Sequence, residues 1–376
     1  MIEGVRGKGR IEERRRMNQI NHQSIINHFF SSVRPSDQNR RLLKPSFEMS
    51  DLFTATTAAQ VEEALARGED IEQTAFMEFD VDGKMTSFRL NERAYAATGA
   101  EDEDEEEQEL TPLTSACRRG ELEVVDCLLK HGTDPKHCPS KYDSKGPIQW
   151  AAKEGHAAVL ERLVRSGVSV NDNQGREGET ALMIASEEGH VDVVDCLLSL
   201  GADVNTVNWM GETALMWASS GERVDVVDRL LAAGADANAV DMVGSSALIA
   251  AALKGNVPII DRLVVHGADF NHRNEMGWSA LMWASKNGHI EVVDRLLSLG
   301  CDVNGQNARG MTALMFACAS EEIEIVRLLL DHGADPLLCN KDGKRAIDLA
   351  RSPEIQTLLN GLILLSFHHH HHHHVP

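Results

Sequence analysis

Residues 211–238 read GETALMWASSGERVDVVDRLLAAGADAN. The same phrase returns, with substitutions, as GETALMIASEEGHVDVVDCLLSLGADVN at 178–205 and GSSALIAAALKGNVPIIDRLVVHGADFN at 244–271. It returns again as GWSALMWASKNGHIEVVDRLLSLGCDVN at 277–304 and GMTALMFACASEEIEIVRLLLDHGADPL at 310–337, with five residues joining each copy to the next. The opening hydroxyl residues Thr180, Thr213, Ser246, Ser279 and Thr312 are spaced by 33 throughout. A constant period of that length marks an array in which each unit packs on its neighbours, so the chain needs no second globular core.

The unit explains itself physically. Thr213 supplies a side-chain oxygen that accepts from an early helical amide, so it reads as an N-cap. A short helix follows with Leu215 and Ala218 on one face, and Gly221 is expected to break it. Val226, Val227, Leu230 and Leu231 then carry the spacing of a second amphipathic helix. Gly234 stops that helix, because a C-terminal cap favours a left-handed residue. Asp241 to Gly244 has the composition of a tight turn leading into the next cap. Neither helix is long enough to stand alone, so each must bury its face against the next unit.

These residues resemble the ankyrin repeat. The family's Thr-Pro-Leu-His-x-Ala opening stands here as Thr-Ala-Leu-Met-x-Ala at Thr180, Thr213 and Thr312, and as Ser-Ala-Leu at Ser246 and Ser279. Its Gly-Ala-Asp-x-Asn close spans Gly201 to Asn205, Gly234 to Asn238 and Gly267 to Asn271, with Cys301 replacing Ala in Gly300 to Asn304. The resemblance is clear over 111–363 and degenerate over 51–74. It implies an all-α solenoid of stacked helix-turn-helix units with short β-hairpin fingers, used to bind proteins through its concave face. One departure concerns rigidity: where the family's His bridges neighbouring units, this chain has Met183, Met216, Ile249, Met282 and Met315. The resemblance also suggests Asn205, Asn238, Asn271 and Asn304 as targets of asparaginyl hydroxylation, against the plainer role of bonding the hairpin backbone.

Outside the five units the chain divides by composition. Residues 1–48 carry ten Lys or Arg against five acids, although the whole chain has a net charge of −21. With few large apolar residues this leader reads as disordered. Arg14 to Arg16 is either a nuclear-import or anionic-surface segment or simply a solvated tail. Residues 49–110 form a degenerate capping repeat, in which Leu52, Val61, Leu65 and Gly68 to Ile71 keep the pattern. An inserted β-hairpin over Ala75 to Leu90 is expected to turn at Asp82-Gly83. Glu101 to Glu109, eight acids in nine residues, reads as a flexible acidic loop. The array then runs over 111–363, and its polar Arg345, Asp348 and Arg351 fit a C-terminal cap. Residues 364–376 form a tail with seven consecutive histidines, His368 to His374, read as a purification tag or low-complexity segment and given no native role.

The sequence offers no catalytic arrangement: no phosphate-binding Gly loop, no nucleophile elbow and no paired His of the metalloprotease kind. No cofactor and no metal site is expected. The seven cysteines show no CxxC pair and read as small apolar filler. His190 and His289 fall in the turn between helices, and Asp195, Asp228, Asp261 and Asp294 mark one solvent-facing place in the second helix.

What remains is surface. The finger tips and their neighbours carry Trp209, Met210, Met242, Val243, Met276, Trp278 and Met311, apolar for turns that meet water. One step inward, in the first helices, stand Trp150, Ile184, Trp217, Trp283 and Phe316, which either face the groove or pack between helices. This pattern reads as a non-enzymatic adaptor, a monomeric array binding a protein partner through Trp209, Met210, Met242, Val243, Met276, Trp278, Met311, Trp217, Trp283 and Phe316. The alternative is a nucleic-acid-associated regulator using the basic leader, which the acidic array opposes by repelling phosphate. No membrane span is expected, and the expected location is the cytoplasm or, through the leader, the nucleus.

Overall fold

A computed structural model of the protein describes residues 57–67, 75–79, 85–90, 108–138, 145–174 and 177–371. Internal contacts divide the chain after Glu48, and the unit from Met49 onward carries the array. The expected leader, Leu52, Gly68 to Ile71, the Asp82-Gly83 turn and most of the acidic run lie outside the described residues.

The described residues open on helix α1 (Ala58–Ala66), held by a capping box in which Thr57 accepts from the Gln60 amide. Strands β1 (Ala75–Phe79) and β2 (Met85–Leu90) pair antiparallel, with Ala75 opposite Leu90 and an irregularity at Glu78/Phe79. A third strand, β3 (Gln108–Leu110), pairs on the other edge of β1, giving the order β2-β1-β3. The expected hairpin is therefore present as strands, and Gln108 and Glu109 at the end of the acidic run are strand instead of loop. They are taken up as an edge strand, because backbone pairing with β1 needs no particular side chain.

Seven helix pairs follow: α2 (Pro112–Arg119) with α3 (Leu122–Lys130), α4 (Pro147–Glu154) with α5 (Ala157–Arg165), and α6 (Ala181–Glu188) with α7 (Val191–Ser199). Next come α8 (Ala214–Ser220) with α9 (Val224–Ala232), α10 (Ala247–Lys254) with α11 (Val257–Val265), and α12 (Ala280–Asn287) with α13 (Ile290–Ser298). The last pair is α14 (Ala313–Ala319) with α15 (Ile323–Asp331), followed by α16 (Ala346–Leu349) and α17 (Pro353–His371). First helices pack on first helices and second helices on second helices, with α1 extending the second layer against α3. The final helix continues through His371, past the expected start of a separate tail at residue 364. The fingers are tight. They are turns with single bridges at Val240–Ser246 and Arg273–Ser279 rather than hairpins of paired strands.

The repeated residues do the stacking. Val226, Val227 and Leu230 are buried, as are their equivalents Val193, Val194 and Leu197 one unit earlier, in one continuous core. Met183, Met216, Ile249, Met282 and Met315 are buried too, so the place of the family's bridging His is an apolar contact. Polar bridges between units come from other residues. Asn205, Asn238, Asn271 and Asn304 accept through Oδ1 from the amides of Asp236, Asp269, Asp302 and Asp335 in the next unit, at 2.7–2.8 Å. Their role is thus to join neighbouring loops, not to close their own. His156, His190 and His289 donate through Nε2 to Arg118, Lys153 and Leu253 carbonyls at the end of the preceding first helix, at 2.7–2.9 Å.

The second helices carry a charge ladder across units. Arg162 pairs with Asp126 at 2.8 Å and Arg262 with Asp228 at 2.9 Å, and Arg229–Asp195 and Arg295–Asp261 form the same rung. Of the recurring aspartates expected to face solvent, Asp195, Asp228 and Asp261 are part-exposed and each forms half of an ion pair. Each rung is part-exposed and open to screening by solvent, so the ladder fixes register more than stability.

One turn departs from the sequence reading. The left-handed residue between helices sits nine positions after the cap, at Gly189, Gly255 and Gly288. In two units that place holds Glu222 and Glu321, with φ of 60° and 59°. Gly221, expected to break α8, keeps a right-handed φ of −78°. A left-handed non-glycine costs about 1–2 kcal/mol, whereas a glycine loses about 0.5–1 kcal/mol more on folding. Glu222→Gly is therefore expected to stabilise the array by roughly 0.5–1 kcal/mol, seen as a raised urea midpoint. A lowered midpoint would mean that the Glu222 side chain contributes more than its backbone costs.

Candidate functional site

The finger tips are fixed by their backbones. The Trp209 amide donates to the Glu177 carbonyl at 3.0 Å, Met242 to Met210 at 2.9 Å, Glu275 to Val243 at 3.0 Å and Ala308 to Met276 at 2.9 Å. Each tip thereby leans on the one before it. The approach is close: a Cβ on Gly277 would lie 2.8 Å from Asn307 Cα, and its φ of 76° excludes most side chains as well. Within a tip, Asp241 Oδ1 accepts from the Val243 and Ser245 amides, both at 2.9 Å, so the turn has no flexibility to spend on hiding its side chains.

The tip side chains consequently face outward. Trp209, Met276 and Met242 are 57%, 48% and 42% exposed, while Met210, Val243, Trp278 and Met311 are half-buried. Trp209 lies against the preceding finger, where a Cβ on Gly178 would meet its indole at 2.7 Å.

Behind the tips an aromatic stack joins the fingers to the first helices. Trp278 stacks on Trp283 with centroids 4.2 Å apart and on Phe316 of the next unit at 4.5 Å. Lys286 Nζ stands 5.4 Å from both indole centroids, within cation–π range. Trp217, half-buried, donates through Nε1 to Glu212 at 3.1 Å. The inner row therefore divides. Trp217 and Trp283 stay partly open, whereas Phe316, Trp150 and Ile184 are buried and serve packing. Phe316 leaves the expected contact set for this reason. Trp278, expected at a tip, is the centre of the stack.

Charge alternates along this row. Glu187, Glu188 and Glu212 gather beside Trp217, and partial burial followed by the two neighbouring carboxylates pushes the Glu187 carboxyl up. Lys286 stands beside the Trp278 stack. Sequence reading missed this alternation because each charge varies from unit to unit within an otherwise constant frame.

The thiols divide by burial. Cys318 is pushed up to about 12 and Cys301 to about 11, each chiefly by burial, and burial raises Cys117 further. Cys339 is exposed. No helix among the described residues is long and apolar enough to cross a membrane.

Short paired helices, a constant period and bonded finger turns define a helical repeat array. Profiles of ankyrin repeats match residues 93–174, 148–241 and 225–307 as three-copy blocks and 296–350 as a many-copy block. The chain belongs to the ankyrin-repeat family. Human Ankyrin repeat domain-containing protein 63 is 42% identical over 96 residues, 24% of each chain. Probable E3 ubiquitin-protein ligase XBOS32 of Oryza sativa subsp. japonica is 33% identical over 98 residues, 26% of this chain and 20% of that one. The chain thus spans about a quarter or less of the length of these curated relatives. The crystal structure of the human ASB11 ankyrin repeat domain is similar with a TM-score of 0.51 and 30% identity, covering 57% of this chain and 97% of that one.

The raised thiols have a consequence for stability. An unfolded cysteine ionises near about 8.5, and a thiol raised in the folded state stabilises the fold below that value. The stabilisation is lost as pH rises toward the folded values, about 11 for Cys301 and about 12 for Cys318. The urea midpoint is expected to fall above about pH 9, less so in Cys318→Ala. Alkylation at neutral pH is expected at Cys339 first, with Cys117 and Cys318 protected until the array opens. Early labelling of Cys117, followed by mass spectrometry, would contradict this order.

Proposed function

We propose that this protein is a non-enzymatic scaffold or adaptor that binds a protein partner along the face built from its finger tips and first helices. The observation that carries the reading is the row of exposed Trp209, Met242 and Met276, held in fixed turns and continuous with the half-open Trp278 and Trp283. Apolar side chains on rigid turns bring contact area at low entropic cost, and Trp and Met are enriched where proteins meet. The alternating Glu212 and Lys286 give the partner a direction, since opposite charges must meet each in register. A groove of this kind suits an extended or helical segment with spaced apolar anchors.

The triple variant Trp209→Ala, Met242→Ala, Trp278→Ala is expected to weaken partner binding by about 2 kcal/mol or more, the scale of an interface hot spot. Val265→Ser is the control: Val265 is apolar and 82% exposed, but it lies on the second-helix layer. Partners recovered by the native chain and by Val265→Ser, but lost by the triple variant, support the reading. Equal recovery by all three chains would remove the finger face as the binding surface.

A further inference from the structure

The charge ladder of the second helices has two rungs of different chemistry, at Cys127 and Cys196, and the first of them gathers a further ligand type. Cys127 stands where Arg162, Arg229, Arg262 and Arg295 stand in later units, and Glu62 of α1 is the acid opposite it. His131 follows Cys127 by four residues and so lies on the same helix face. At this rung Glu62 faces a thiol and an imidazole instead of a guanidinium.

The three side chains converge between α1 and α3. Cys127 Sγ lies 3.7 Å from Glu62 Oε1, and His131 Nε2 lies 3.1 Å from Glu62 Oε2. One donor atom from each of the three residues falls within 4.8 Å of the others. Tetrahedral zinc bonds of about 2.0–2.3 Å place neighbouring ligand atoms roughly 3.3–3.8 Å apart. Small adjustments of the exposed Glu62 and His131 side chains suffice to meet that geometry.

The hydrogen bonds define the imidazole's orientation. His131 Nδ1 is 2.9 Å from the Cys127 carbonyl, an atom that only accepts, so Nδ1 carries a proton. Nε2, the other ring nitrogen, is thereby turned toward the Glu62 carboxylate and the space shared with Cys127. A backbone carbonyl holding the ring nitrogen away from the metal is the usual support of a metal-binding His.

We propose that Glu62, Cys127 and His131 bind a borderline-soft divalent cation of the zinc type, clipping the capping helix α1 to α3 of the first full unit. Thiolate, imidazole and carboxylate together suit zinc better than calcium or magnesium, and three protein ligands leave a fourth position for water. Binding displaces the thiol proton to solvent and leaves His131 neutral through Nε2. Elsewhere the array does not reproduce the set: the Cys196 rung has Glu161 opposite it but Leu200 in place of His131.

Cobalt(II) titration of the full chain tests the site, because a thiolate ligand gives a sulfur-to-cobalt charge-transfer band that imidazoles alone, including His368 to His374, do not. The native chain is expected to show a saturable band at one equivalent, removed by added zinc. Cys127→Ser abolishes it, Cys196→Ser leaves it intact, and Glu62→Gln and His131→Gln weaken cobalt binding by about tenfold or more. Circular dichroism checks that each variant is folded, and the exposed positions of Glu62 and His131 keep those two variants informative should Cys127→Ser unfold. Absence of the band in the native chain overturns the proposal. So does a band that survives in Cys127→Ser, or one whose affinity is unchanged in both Glu62→Gln and His131→Gln.

Discussion

No first or second helix of the array exceeds nine residues, and a helix of that length is marginal alone in water. The structure therefore depends on one constraint: every apolar face must be covered by the next unit at a fixed repeat. Val193, Val194 and Leu197 cover Val226, Val227 and Leu230, and the same relation passes down the chain. Once the period is fixed, a polar residue able to reach across the gap can do so in each unit that carries it. The loop Asn, the turn His and the ladder Arg are three such solutions, each spanning about one repeat. They settle which residue meets which, while burial supplies most of the stabilisation.

Replacing the family's opening His by Met or Ile shifts this balance without removing it. Met216 and Met282 fill their place by contact alone, and methionine adapts its shape to the gap it is given. Register is then held at the loop ends by the asparagines and at the outer layer by the ion pairs. The missing His is thus accompanied by bonds at two other levels of the same unit.

The array was legible because its determinants are local and periodic. Caps such as Thr213, the stop at Gly234 and the buried spacing of α9 are each written within a few residues and repeated five times. Contacts that cross units were harder to read. Asp228 looks like a solvent-facing acid until Arg262, 34 residues on, is brought beside it. The left-handed turn fell on Glu222 rather than Gly221 because the repeat fixes the position of the turn more strongly than glycine preference does. Strand β3 gave no hydrophobic alternation, since its pairing is made by backbone alone. In the candidate site the exposed tips were readable as apolar turns, but the Trp278 stack was not, because it joins side chains from two units.

The tips and the stack stand in a physical relation that explains why both are present. A Trp left 57% exposed in a turn already closed by backbone bonds contributes little to folding, so Trp209 is not accounted for by the core. Trp278 is different: its stacking on Trp283 and Phe316 stabilises the array and also removes the rotamer freedom that a partner would otherwise have to restrict. A surface made of one freely exposed row and one immobilised aromatic wall offers apolar area with its ordering cost already met in the folded chain. Lys286, held over both indoles, adds a fixed charge to the same wall. On the proposed function, recognition along this face would be governed by shape and charge order, because little of the receiving surface would have to rearrange when covered.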